Sequence, residues 1–149
     1  MTAKNEYLVE KKTSGTVRGR LVWASLLAMS TATAANLGLY AIVGYQFSTV
    51  ADWPGTSPIH IIGATIVYLL LATLVFAVVK RLSPHPERHY LIVATVSLII
   101  SLGPPISLGF GPGLPGVPAA DPIIGITLGL MHVISYAISV PLFVHMALD

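Results

Sequence analysis

The chain has 149 residues, of which 54% are hydrophobic and 9% charged, with a mean hydropathy of +0.80, a pI near 9.0 and a formal net charge of +2. Soluble domains average about 25% charged residues, so the composition excludes an ordinary soluble fold and points to one membrane domain. It has no cysteine, which excludes disulfides, thiolate metal sites and cysteine nucleophiles.

Residues 1–19 are polar and mixed in charge, with Lys4, Glu6, Glu10, Lys11, Lys12 and Arg18. No apolar period emerges, so this stretch reads as a flexible tail, and residues 20–149 as the membrane domain. The first apolar run, Leu21 to Phe47, has Trp23 near its start and Tyr45 near its end, the places of the two interfacial aromatic belts. Ala24, Ala28 and Ala32 recur every four positions, and Asn36 and Tyr40 extend the row. Small residues in such a stripe let another helix approach closely. Ala32-Thr33-Ala34 has the form of a secretory cleavage site, but the apolar run continues to Tyr45, which favours a retained helix.

A loop is expected over residues 48–57, with Trp53 and the turn formers Pro54-Gly55; Ser57-Pro58 then supplies a cap and a first-turn proline. The second run, Ile59 to Val79, ends in Lys80 and Arg81, which suit a helix C-terminus and the phosphate region. After a polar turn over 82–89, in which Pro86 and Glu87 begin the next helix, the third run extends from Tyr90 to Phe110. Pro104-Pro105 predicts a kink or early end there. Residues 111–120, GPGLPGVPAA, read as a stiff loop, neither strand nor helix.

Asp121 and Pro122 give the last run a cap and a first-turn proline, and no Asp, Glu, Lys or Arg follows until after Leu148. Each run approaches or exceeds the roughly 20 residues that cross a bilayer. The expectation is an all-α bundle of four transmembrane helices, spanning about 20–47, 58–80, 89–110 and 122–146. In the last span Gly125, Gly129, His132 and Tyr136 share one face. Gly125 and Gly129 form a GxxxG pair, expected to pack on the alanine stripe of the first span. Pro141 is expected to bend the last turn.

All eight Lys and Arg residues lie in two places: Lys4, Lys11, Lys12, Arg18 and Arg20 before the first span, and Lys80, Arg81 and Arg88 between the second and third. The other two connections hold only Asp52 and Asp121. The positive-inside rule then makes both termini cytoplasmic, and it explains the basic pI without nucleic acid.

Three elements together resemble a known family. They are Asn36-Leu37 with Tyr40 in the first helix, Ser101-Leu102-Gly103-Pro104-Pro105 in the third, and Leu128-x-Leu130-Met131-His132 running on to Val140-Pro141-Leu142 in the fourth. Over roughly residues 18–147 the chain is similar to a family of small bacterial four-helix integral membrane proteins, catalogued as a domain of unknown function. The resemblance implies a multi-pass protein of the bacterial inner membrane and transfers no catalytic role.

Candidate chemistry is sparse. His132 and His145 are thirteen residues apart on one helix, a spacing that resembles membrane cytochromes. A bis-histidine haem also needs a histidine at equal depth on another helix, and His132 has none in the sequence. No HExxH or GxSxG motif occurs, and no acidic residue lies within a span. No catalytic residue, metal site or cofactor is expected, and the chain reads as a non-enzyme. His132 lies roughly 16 Å below Asp121, near the midplane. Tyr68, Thr31 and Ser97 reach the same level, with Asn36, His60, Pro104 and Gly125 in a layer nearer the other side. Asn36, His60, Tyr68, His132 and Tyr136 are therefore the candidate polar pocket, in which His132 should hydrogen-bond to Tyr68 or Thr31. The leading functional expectation is a structural or accessory membrane subunit, partnered by the bilayer and by other membrane proteins or copies of itself. The alternatives are a small oligomeric channel or transporter component and, behind it, a haem- or pigment-binding protein.

The charge split carries a topology prediction. With Asp52→Cys, an impermeant maleimide should label intact cells; with His85→Cys, labelling should require membrane disruption. The reverse pattern would invert the topology.

Overall fold

The computed structural model describes residues 2–148, with side chains from residue 19 onward except at positions 118 and 148. The helices are α1 (Thr2–Gln46), α2 (Ser48–Asp52), α3 (Pro58–Leu82), α4 (Pro86–Ser101), α5 (Gly103–Phe110) and α6 (Pro122–Leu148). Four segments are long and apolar enough to cross a membrane: Gly19–Gln46 of α1, all of α3, α4 with α5, and Pro122–Ala147 of α6. The fold is the expected all-α bundle with four candidate membrane spans.

Three local expectations need correction. The segment before Gly19 is not an irregular tail, because α1 is continuous from Thr2. It contains good helix formers and no proline, and extending an existing helix costs far less than nucleating a new one. Residues 48–57 are not a plain loop but a helical turn, α2, followed by a 3₁₀ turn, Pro54–Thr56. Val50 and Thr56 are both fully buried there. Thr56 Oγ1 donates to the carbonyls of Val50 and Trp53, which ties the two turns together. Residues 111–120 include a small antiparallel hairpin, β1 (Gly113–Leu114) against β2 (Val117–Pro118). Its turn has Pro115 followed by Gly116 at φ +79°, the pairing that a type II turn requires.

The caps divide similarly. Asp121 Oδ1 accepts from Ile123 N at 2.9 Å, as its position suggested. Ser57 makes no cap bond to the backbone; its hydroxyl lies 2.6 Å from His60 Nδ1 instead.

The interior has two apolar clusters at opposite ends. At the basic end, marked by Lys80, Arg81 and Arg88, the alanine stripe Ala24, Ala28 and Ala32 is fully buried with Leu69, Phe76, Tyr90, Val140, Phe143 and Ala147. Phe76 meets Tyr90 edge-on with ring centroids 4.8 Å apart, and Phe143 lies 5.5 Å from Phe76. Lys80 Nζ donates to the carbonyl of Ala147 and so ties the ends of α3 and α6 together. At the opposite end Val50, Leu108 and Ile124 form the second cluster, with Trp53, Leu114 and Ala120 packed over it.

The third span breaks between α4 and α5. Pro104 and Pro105 have no N–H, so the carbonyls of Ile100 and Ser101 lose the donors that an unbroken helix would supply. The short α5 then packs against α6, and there the glycine expectation is corrected. Gly125 is buried, but its neighbour is α5, not the alanine stripe. A Cβ at Gly125 would fall 2.7 Å from the Pro105 carbonyl oxygen and 2.8 Å from Gly109 Cα. A Cβ at Gly129 would meet only the side chains of Leu102 and Pro105, at 3.7 and 3.9 Å. The alanines pack instead where α6 carries Val140, Phe143 and Ala147.

The two glycines should therefore respond differently to one methyl group. Gly125→Ala should destabilise the bundle by about 1–3 kcal/mol, the range for overpacking. Gly129→Ala should change stability by less than about 0.5 kcal/mol. Unfolding in mixed detergent micelles measures both; equal effects would refute the α5–α6 contact as the tight one.

Candidate functional site

Between the two end clusters, α3, α4 and α6 enclose a cavity of about 520 Å³, reached by Asn36 from α1. All five residues of the candidate polar set, Asn36, His60, Tyr68, His132 and Tyr136, line it. Ser97, Ser101 and Pro104 complete the side formed by the third span.

Asn36 is the best anchored of the five. It follows Ala32 by one helical repeat, so it continues the buried stripe into the middle of the bundle. It is 2% exposed. Its Nδ2 donates to Thr65 Oγ1 on α3 at 3.1 Å and to Ser135 Oγ on α6 at 3.0 Å. One side chain thus joins three spans. Its Oδ1 is the single buried side-chain polar atom without a hydrogen-bond partner among the described residues. Leaving a buried polar group unpaired is costly, and more so in a bilayer, where no water is at hand.

His132 is half-buried, and Tyr68 meets it edge-on, with centroids 5.0 Å apart and planes at 85°. The expected hydrogen bond is absent: no described residue bonds to the His132 ring. Thr31 is exposed and does not line the cavity. The reason is angular, since Thr31 sits about 140° around α1 from Asn36. Tyr136 points its hydroxyl to Thr95 Oγ1 at 2.8 Å, which links α6 to α4. His60 lies at the exposed rim, where its Nδ1 donates to the Pro54 carbonyl at 3.0 Å.

Sequence reasoning missed Thr65, Ser135 and Thr95. A signal existed for the first two. Thr65 precedes Tyr68 by three positions and Ser135 follows His132 by three, so each shares a face with a residue already singled out. A buried asparagine in an apolar stripe also demands partners, and small hydroxyl residues on facing helices can supply them.

The cavity wall is neutral. None of its residues is Asp, Glu, Lys or Arg, and no group of histidines and acids able to hold a metal occurs among the described residues. Hydroxyls, an amide and imidazoles can bind and orient a molecule by hydrogen bonding. They offer no ion pair and no carboxylate base.

Four apolar spans around a neutral interior define a small multi-pass integral membrane protein. The chain belongs to a family of unknown function, DUF6069, whose model matches residues 13–148. No curated protein and no solved structure matches it significantly.

If Asn36 is the central tie, removing it should cost more than removing any other polar contact in the spans. Asn36→Leu should lower stability by about 1–2 kcal/mol and Thr65→Val by about 0.6 kcal/mol. Thr31→Val should be neutral. A double-mutant cycle of Asn36→Leu with Thr65→Val, read by detergent unfolding, should show coupling; strict additivity would break the assignment.

Proposed function

We propose that the protein is a non-catalytic accessory subunit of the bacterial inner membrane, with both termini in the cytoplasm. One observation carries this reading: none of the residues lining the interior cavity is Asp, Glu, Lys or Arg. Ion pathways through membranes usually carry an intramembrane charge, and the histidines and hydroxyls of this wall have no carboxylate beside them to orient or activate them. Holding helices, partner proteins or neutral molecules in place needs neither. Its partners are the bilayer and other membrane proteins, or further copies of itself; nucleic acid is not among them. The basic residues serve as topology signals.

The test is purification of the tagged full chain from its native membrane in a mild detergent, followed by reconstitution. A membrane protein should co-purify in fixed proportion through a second, size-based step. The purified chain alone should leave the proton and potassium permeability of liposomes unchanged. A chain that purifies with no other protein and makes liposomes permeable would overturn the reading in favour of a channel.

A further inference from the structure

The wall of the cavity carries an imidazole that the bundle leaves unused. His132 is half-buried, lines the cavity and has no hydrogen-bond partner among the described residues. Its ring nitrogens are not sealed off, because Asn36 Oδ1 is the single enclosed side-chain polar atom left unpaired among those residues. The Asn36 oxygen is out of reach of anything in the cavity; the imidazole is within it. Tyr68 lies against His132, ring centroids 5.0 Å apart, and lines the same space. An unbonded polar group at mid-membrane is costly, since lipid tails offer it no partner.

Shape, access and depth narrow the class of ligand. The wall on α3 runs from His60 to Val75, about 22 Å of helix, so the space is elongated. Its volume, about 520 Å³, lies within the usual range for small-molecule sites of roughly 300–1,000 Å³. Tyr68, Leu71, Ser97 and Ile100 line it and are exposed, so it opens sideways between the second and third spans, toward hydrocarbon. A ligand therefore enters from the bilayer. A charged headgroup would find no Asp, Glu, Lys or Arg in the wall to pair with, and a bare hydrocarbon would leave His132 unbonded. Alcohols and phospholipids keep their polar ends at the interface, because burying an unbonded hydroxyl or a charge in hydrocarbon is costly. By helical rise His132 lies near the midplane. A quinone has neither charge nor donor, so its ring dissolves in hydrocarbon at that depth. Its carbonyl oxygens accept hydrogen bonds, and a neutral imidazole has one N–H to donate.

We propose that this cavity binds a lipid-soluble quinone from the bilayer, one carbonyl oxygen accepting a hydrogen bond from the His132 imidazole and the apolar tail leaving between α3 and α4. The site needs no partner protein, so it stands whether or not the chain is an accessory subunit.

The test measures binding of a tritiated naphthoquinone with an isoprenoid tail to the full chain in phosphatidylcholine nanodiscs. Binding should saturate at about one quinone per chain. A naphthalene with the same tail, which has no carbonyl, should displace it about tenfold less well than the unlabelled quinone, the ratio expected for one ordinary hydrogen bond. His132→Leu should weaken quinone binding by a similar factor, and His132→Gln, which keeps an N–H donor, should retain most of it. The infrared carbonyl band of the bound quinone should lie at lower frequency on the unaltered chain than in lipid alone, and should return in His132→Leu. Ser97→Phe, which puts a ring into the cavity from α4, should abolish binding. If His132→Leu fails to fold, the comparison of quinone with naphthalene and the band position on the unaltered chain decide. Dioleoylglycerol, an ester with a free hydroxyl, and geranylgeraniol, an alcohol, should not compete. Binding that does not saturate, equal displacement by quinone and naphthalene, an unshifted carbonyl band, binding that survives Ser97→Phe, or competition by either lipid as strong as by the quinone would overturn the proposal.

Discussion

The amide of Asn36 is the constraint on which the middle of this bundle depends. In water an asparagine on a helix surface is nearly neutral for stability. Inside a bilayer its donors must find acceptors within the protein, because lipid tails offer none. Thr65 and Ser135 supply them from two other spans, so α1, α3 and α6 are held in one register. Apolar packing alone does not define register in a membrane, since lipid tails are as apolar as the helix faces they would replace. The alanine stripe below Asn36 allows the close approach, and the amide selects which approach is made.

The third span is governed differently. Its link to α6 at mid-height is a single hydroxyl pair, Thr95 with Tyr136. Its tight contacts are aromatic at one end and glycine on glycine at the other. Between them the helix breaks at Leu102, where two successive prolines cannot donate backbone bonds. The cavity lies alongside α4, between those two sets of contacts.

The turns at that far end act as a cover. Val50, Leu108 and Ile124 come from three separate elements and bury one another, with Trp53 and Leu114 alongside. Thr56 ties α2 to the 3₁₀ turn. A connection short of charge and rich in proline and glycine is here folded tightly over the ends of the helices it joins.

Composition and apolar run length determined the class of this protein and its four candidate spans, because the bilayer permits few alternatives to a run of some 20 apolar residues, and the prolines at 58, 86 and 122 placed the starts of three helices. Period-four spacing showed that Ala24, Ala28, Ala32 and Asn36 face inward, because small residues and a buried amide have no reason to face lipid. Counting depth placed Tyr68 and His132 at one level and Asn36 and His60 in the layer next to it, since helical rise is fixed. Which helix meets which face was decided only in three dimensions. Gly125 sits against Gly109 and not the alanines, because α5 packs on α6 at that height. The same arrangement leaves His132 beside the edge of Tyr68 without a hydrogen bond, and Thr31 outside the bundle. Spacing along one chain defines the face of a helix; the angle at which another helix crosses it depends on kinks and close contacts that involve residues far apart in sequence.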